Sequence, residues 1–214
     1  MTKAGETPQR RYEEGCIAAH ALDLIGDRWA LLVVRELMLG PRRFGAIRAG
    51  LPGISANILT RRLGDLQAAG VVETRQIPAP ASVQVYALSA AGRGLWPVIR
   101  ALCRWGAGMP GHDPGLFISP TALMLSMRAM AAPGGPRLTI GFDFDGDGFE
   151  GRMDGTYKVA RAEVPGGDIG FSGTTNAVAA AVYGPQPLAE TAETVGFRGD
   201  LALGQAFVDR FHLR

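Results

Sequence analysis

The run GAGMPGHDPG at residues 106–115 constrains this chain most. Proline removes an amide donor and fixes φ, while glycine carries a large entropy cost in regular structure, so no helix or strand runs through such a stretch. A 214-residue chain is long enough to build two small cores. The expected organisation is a domain at 1–108, a linker at 109–117 and a second domain at 118–214. Charge divides at the same place. Residues 1–110 hold 14 Lys+Arg against 8 Asp+Glu, a net of +6, and residues 111–214 hold 8 against 12, a net of −4. Only the first half is suited to a polyanion.

Several function classes drop out on composition. Cys16 and Cys103 are too few and too far apart for a disulfide framework or a zinc site, and His20, His112 and His212 are scattered. No Ser/His/Asp spacing and no lysine-bearing phosphate loop is present. The expectation is a protein that is not an enzyme and uses no cofactor and no metal. The polar start MTKAGETPQRRYEEG lacks the apolar run of a secretory signal, so the expected compartment is the cytoplasm.

In the basic half, residues 17–25 form a short helical pattern. Asp27 is placed to cap a helix over 28–39, which Gly40-Pro41 ends. A shorter helix follows at 44–49, then LPGISANILTRRLGDLQAAG. Ser55 is an N-cap candidate, Leu59, Leu63 and Leu66 fall on one stripe, and Gly70 suits the stop. The opposite face offers Asn57, Thr60, Arg61 and Gly64, with Arg62 on its flank. Asn and Arg can pair with adenine and guanine edges, and a flanking Arg suits phosphate. Strands at 71–77 and 83–88, with Pro78 and Pro80 between them, complete a helix-turn-helix with a wing. Ser89 caps a last helix to about residue 105, whose Leu95, Ile99 and Leu102 form an apolar face for dimerisation or for core packing.

These residues carry a family resemblance. Over residues 14–106 the chain resembles the HxlR-type bacterial winged-helix regulators, through an N-terminal cysteine, Gly26-Asp27-Arg28-Trp29, Arg42-Arg43-Phe44, LPGIS at 51–55 and LTRRLGDLQAAGVV at 59–72. The resemblance implies a homodimer on a near-palindromic operator, with Arg42, Arg43, Ser55, Asn57, Thr60, Arg61 and Arg62 at the DNA. It departs at Val83, where the family's wing often carries arginine, so Arg42, Arg43, Arg61 and Arg62 are expected to carry more of the electrostatics. It departs again at Ile17, where the family usually has proline. Some members use the N-terminal cysteine as a thiol sensor. Cys16 could do so, since a helix N-terminus favours a thiolate, or it could be a small packing residue.

The acidic half begins with an apolar helix, SPTALMLSMRAM, and continues through strand-like runs RLTIGFDF, FEGRMD, TYKVARAEV and IGFSG to helices at 174–183 and 201–211. That order gives an α+β domain. Leu123, Met124, Leu125, Met127 and Met130, with Met153 on a strand, are adaptable apolar side chains that suit either a core or a variable apolar guest. Residues 118–214 resemble the sterol carrier protein type of lipid-binding domain. The resemblance implies an antiparallel sheet of about five strands, backed by helices around an apolar cavity.

One stretch invites a different reading. DFDGDGFEGRMD at 143–154 has the acidic spacing of a calcium loop. Upstream, however, Leu138, Ile140, Phe142 and Phe144 alternate with Thr139, Gly141, Asp143 and Asp145, which is strand periodicity. A hairpin turning at Gly146-Asp147-Gly148 is expected, where an EF-hand would need flanking helices.

The expected function is a DNA-binding transcriptional regulator, a repressor and homodimer. Its second domain would sense an apolar or acyl small molecule through Leu123, Met124, Met127, Met130 and Met153. The alternative is a lipid carrier or interaction protein whose winged helix serves only for dimerisation.

Overall fold

A computed structural model describes residues 11–77 and 83–213. The first half contains α1 (Ile17–Ile25), α2 (Ala30–Leu37), α3 (Phe44–Ala49) and α4 (Ala56–Ala68), then β1 (Val72–Ile77), β2 (Val83–Leu88), α5 (Ala90–Arg93) and α6 (Trp96–Ala107). In α4 the expected signals operate. The Ser55 hydroxyl accepts from the Ile58 amide at 3.2 Å, Leu59, Leu63 and Leu66 are buried, and Gly70 (φ 68) takes the left-handed conformation just past the end.

Two helix boundaries differ from the sequence reading. The second helix begins at Ala30 rather than at 28, because Trp29 sits in the left-handed region (φ 80). Asp27 does not cap it; its carboxylate pairs instead with Arg62. The helix expected over 89–105 is split into α5 and α6. Ser89 caps α5 as expected, accepting from the Gly92 amide, but the pair Gly92 and Gly94 followed by Pro97 interrupts the continuous ladder.

The second half contains α7 (Pro120–Met130), β3 (Leu138–Phe144), β4 (Asp147–Met153), β5 (Tyr157–Arg161), β6 (Ile169–Ser172), α8 (Thr175–Tyr183), α9 (Leu188–Thr191) and α10 (Leu201–Val208). Its sheet has four strands in the order β5-β4-β3-β6, not five, and it is mixed. The β3-β4-β5 meander is antiparallel, whereas β6 returns to lie parallel to β3, pairing Ile140 with Ile169 and Phe142 with Phe171. At a fifth position a segment meets β6 at an isolated bridge and through the Ser172 amide, which donates to the Val195 carbonyl at 2.8 Å. Gly170 and Arg198 exchange hydrogen bonds at 2.8 and 2.9 Å, but Gly196 (φ 48) and Gly199 (φ 112) bend the segment before a ladder can extend.

The DFDGDG stretch is a hairpin between strands, as its alternation requires. The turn comes one residue earlier than expected, at Asp145-Gly146, both with positive φ (51 and 91). That is the two-residue geometry matched to strand twist. Asp143 accepts from the Gly146 amide at 3.1 Å, and Asp147 is already the first residue of β4.

Two apolar clusters result. One gathers Val33, Val34, Leu37, Ile47, Leu59, Leu63, Leu66, Val72 and Ile99. The other is aromatic: Phe142 stacks on Phe171 with ring centroids 5.5 Å apart, and Phe207 meets Phe211 edge-on at 4.9 Å. The two are joined rather than loosely tethered. Arg128 on α7 lies over Trp96 on α6 at 4.3 Å, and Arg104 Nε donates to the Ala129 carbonyl at 3.0 Å. Within the stretch expected to be a linker, the Pro114 and Leu116 carbonyls both accept from Asn176 Nδ2 on α8.

Candidate nucleic-acid interface

The packing of α4 determines which side chains face water. Its apolar stripe seals against α2, and the opposite face presents Asn57, Thr60, Arg61 and Gly64, spaced i, i+3, i+4 and i+7, all exposed. Ile58 is exposed beside them. Nothing lies within 4 Å of where a Cβ on Gly64 would be, so backbone at that point is open to close approach. The Thr60 hydroxyl donates to the Ala56 carbonyl at 2.9 Å, which leaves its oxygen as an acceptor. The Ser55 side chain is committed to the helix cap.

The expected arginines separate. Arg43 and Arg61 are exposed. Arg62 is not: it is 8% exposed, paired with Asp27 and with Asp65 at 2.9 Å, and so braces α4 against the turn before α2. Arg42 also turns inward, its side chain 14% exposed and bonded to Thr121 at 3.0 Å and Asp147 at 3.1 Å. The stated flank for phosphate is therefore occupied by internal ion pairs. Its physical cause is Asp27 and Asp147, brought up from far along the chain, together with Asp65 one turn further along α4.

Sequence reading did not single out Arg75 on β1. This side chain is half exposed and bonded to Glu73 at 2.5 Å, on the strand that carries the wing. Its signal was present as the lone cation of the strand VETRQI. The wing is an antiparallel ladder from Val72↔Leu88 to Ile77↔Val83, extended by a bridge between Arg42 and Tyr86. The tip carrying Pro78 and Pro80 lies outside the described residues.

The side chains expected to meet an apolar ligand are mostly core. Leu123, Met124, Met127 and Met153 are fully buried among the aromatic rings, with the Tyr157 hydroxyl 4.0 Å from Met124 Sδ; Met130 is half-buried at the end of α7. Burial pushes the Tyr157 phenol far above its ordinary range. A small cleft of about 80 Å³ is lined by Leu37, Pro41, Arg75, Leu88 and Arg93, and none of the methionines in question borders it.

Cys16 is exposed at the start of α1, where backbone amides of Ala19 and then Ala18 hold its thiol below the ordinary value. Cys103 goes the other way, raised by burial against an opposing effect of Arg35. Among the described residues no group of three or more His, Cys, Asp or Glu could hold a metal ion, and no helix is long and apolar enough to cross a membrane.

A helical bundle with a two-stranded wing and a core-packed helix bearing amide, hydroxyl and guanidinium groups outward defines a winged helix-turn-helix protein. Residues 24–113 match the HxlR-like helix-turn-helix family. The chain is 36% identical over 107 residues to the uncharacterized HTH-type transcriptional regulator sll1512 of Synechocystis sp., covering 50% of this chain and 79% of that one. It is also 36% identical over 86 residues to YvaP of Bacillus subtilis, another HTH-type transcriptional regulator, covering 40% and 79%. Among solved structures it is similar to the reduced form of the transcriptional regulator YodB from B. subtilis, at 32% identity and a TM-score of 0.41, covering 45% of this chain and 98% of that one. The chain belongs to the HxlR-like family of transcriptional regulators.

Proposed function

We propose that the chain is a homodimeric repressor that reads a near-palindromic operator with α4. The observation that carries this reading is the outward face of α4: Asn57, Thr60 and Arg61 stand on one exposed stripe of a helix whose other side is sealed in the core. Arg61 and Asn57 take base edges, while Arg43 and Arg75 meet phosphate. Ser55 contributes through the helix cap, Arg62 by bracing α4, and Arg42 stands behind the wing. Dimer symmetry would put the half-sites about one helical turn apart, ~10 bp. The exposed apolar stripe Val98, Leu102 and Trp105 on α6, together with Ile17 on α1, suits burial against a second copy.

In this reading residues 1–108 form the DNA-binding and dimerisation domain, 109–117 the connection and 118–214 a sterol-carrier-like domain that senses an apolar or acyl molecule in the cytoplasm. The helix-backed sheet and adaptable Met124, Met127 and Met153 support it. A guest would have to displace those side chains from the aromatic cluster. The exposed Cys16, with its lowered thiol, suits a second input by oxidation.

The test is a gel shift with a randomised duplex pool at rising salt. Affinity that falls steeply and linearly in log–log form, with enrichment of near-palindromic sequences, is the expected result. Binding that ignores salt, or no binding, would remove the reading.

A further inference from the structure

We infer that Arg42 is a positioning residue: it fixes the base of the wing and the start of α3 for DNA by anchoring them to Asp147 of the second domain, without touching DNA itself. This rests on the DNA-binding reading above.

Arg42 belongs to both halves of the molecule at once. Its backbone amide donates to the Tyr86 carbonyl at 2.9 Å and its carbonyl accepts from the Tyr86 amide at 2.8 Å, making it a rung of the wing ladder. The next residue, Arg43, is the N-cap of α3. Its side chain points away from both, with Nη1 donating to Thr121 Oγ1 on α7 and Nη2 to Asp147 Oδ2 on β4. Arg161 on β5 donates to the same Asp147 and, at 2.5 Å, to the same Thr121 hydroxyl, and it lies over the Phe149 ring at 4.6 Å. Elements of the sheet and α7 thus converge on one residue at the foot of the wing.

A second contact stands beside the first. Glu36 on α2 is fully buried; its Oε1 accepts from the Ser119 hydroxyl at 2.7 Å and from Arg35 at 2.9 Å. Among the described residues its Oε2 has no hydrogen-bond partner, and it lies 4.0 Å from Arg42 Nη1. Arg42 is therefore hydrogen-bonded to Asp147 and, at the longer distance, ion-paired with Glu36. A buried charge needs a partner, and the guanidinium is held between the two carboxylates, closer to Asp147 than to Glu36. Movement of β4, which begins at Asp147, would hand Arg42 to Glu36 and shift the wing and α3 with it. This gives the second domain a physical route to the DNA-contacting elements, through a side chain held by carboxylates of both halves.

The cluster also explains why the exchange is confined to this point. Arg35, Arg42 and Arg161 outnumber Glu36 and Asp147, and Arg42 and Arg161 share one carboxylate and one hydroxyl. Without the Asp147 charge the two guanidiniums repel across Thr121.

The experiment uses the full chain. Wild type first enriches a tight duplex from a randomised pool, and that duplex and the unselected pool are the probes. Affinity and salt slope are then measured for Asp147→Asn, Asp147→Glu, Arg42→Ala and the Asp147→Asn/Arg42→Ala pair, with circular dichroism to verify folding. Asp147→Asn and Arg42→Ala are each expected to weaken the enriched duplex about tenfold, a coupling of the ordinary allosteric size, with the salt slope unchanged. The double variant should be no weaker than either single one, and Asp147→Glu should recover most of the affinity. Thr121→Val, which keeps every charge, supplies an independent variant if Asp147→Asn does not fold, and is expected to weaken the enriched duplex in the same slope-neutral way. Unchanged affinity in a folded Asp147→Asn or, in its place, Thr121→Val protein overturns the inference. So does a salt slope that drops by about one in Arg42→Ala alone, the signature of a direct phosphate contact. If wild type shows no salt-dependent binding to the pool, the DNA-binding reading itself falls and takes this inference with it.

Discussion

Two pairs of adjacent arginines, 42–43 and 61–62, look alike in sequence and end differently. In each pair one side chain faces solvent and the other is turned into the fold, where it meets carboxylates. Arg61 and Arg43 lie on the exposed side of the helix-turn-helix. Arg62 is held by Asp27 and Asp65, and Arg42 by Asp147 and Thr121. The lesson is that a basic run does not measure a DNA-binding surface. Part of the positive charge of this half holds the scaffold together, and the rest is left to meet a polyanion.

The comparison can be broken most strongly at the buried end. Glu36→Ala would remove the carboxylate that Arg35 and Ser119 use, and the expected loss of stability is about 3–5 kcal/mol by denaturant unfolding. Arg62→Ala should cost about 1–3 kcal/mol by the same measurement, since Asp27 and Asp65 lose their partner, while the salt dependence of DNA binding stays as it was. Were Arg62→Ala to leave stability untouched and flatten that slope, the division of roles would be reversed. Arg61→Ala should do the opposite of Arg62→Ala. Stability should move by less than ~0.5 kcal/mol, while about 1–3 kcal/mol of discrimination between enriched and unselected duplexes disappears. Arg43→Ala should weaken all duplexes alike and reduce the salt slope by about one.

The two cysteines offer the finest version of the same contrast. The Cys16 thiol is lowered by backbone amides and exposed, so more of it is thiolate at a given pH near neutrality; Cys103 is raised by burial and holds its proton. Iodoacetamide followed by mass spectrometry should modify Cys16 first, with the gap narrowing as pH rises. Equal rates at neutral pH would mean that the environment of Cys16 confers nothing.

Local chemistry made much of the first half readable. Ser55 caps α4, Gly70 ends it and Leu59, Leu63 and Leu66 are buried, because capping, left-handed termination and helical periodicity act within a few residues. The same holds for the DFDGDG hairpin, where alternation outweighed the acidic spacing. The split of the last helix was also present locally, in Gly92, Gly94 and Pro97, although the apolar stripe masked it. The sheet shows the contrast inside one domain. Four strand runs were visible in the residues, and the expectation of about five came with the sterol-carrier resemblance; the segment at 195–198 meets β6 at an isolated bridge and one further backbone hydrogen bond, short of a ladder.

By itself the sequence determined the winged helix-turn-helix, its family and the outward stripe of α4, since these follow from short-range spacing and from motifs kept in order. Tertiary structure decided which arginines are spent inside, that Asp147 is the partner of Arg42, and how the two halves dock. Those outcomes depend on carboxylates 35 and 105 residues away along the chain, with Asp65 one turn along α4 as the local partner of Arg62. Whether a charge is solvated or paired is settled by what folding brings opposite it, and no local pattern of residues records that.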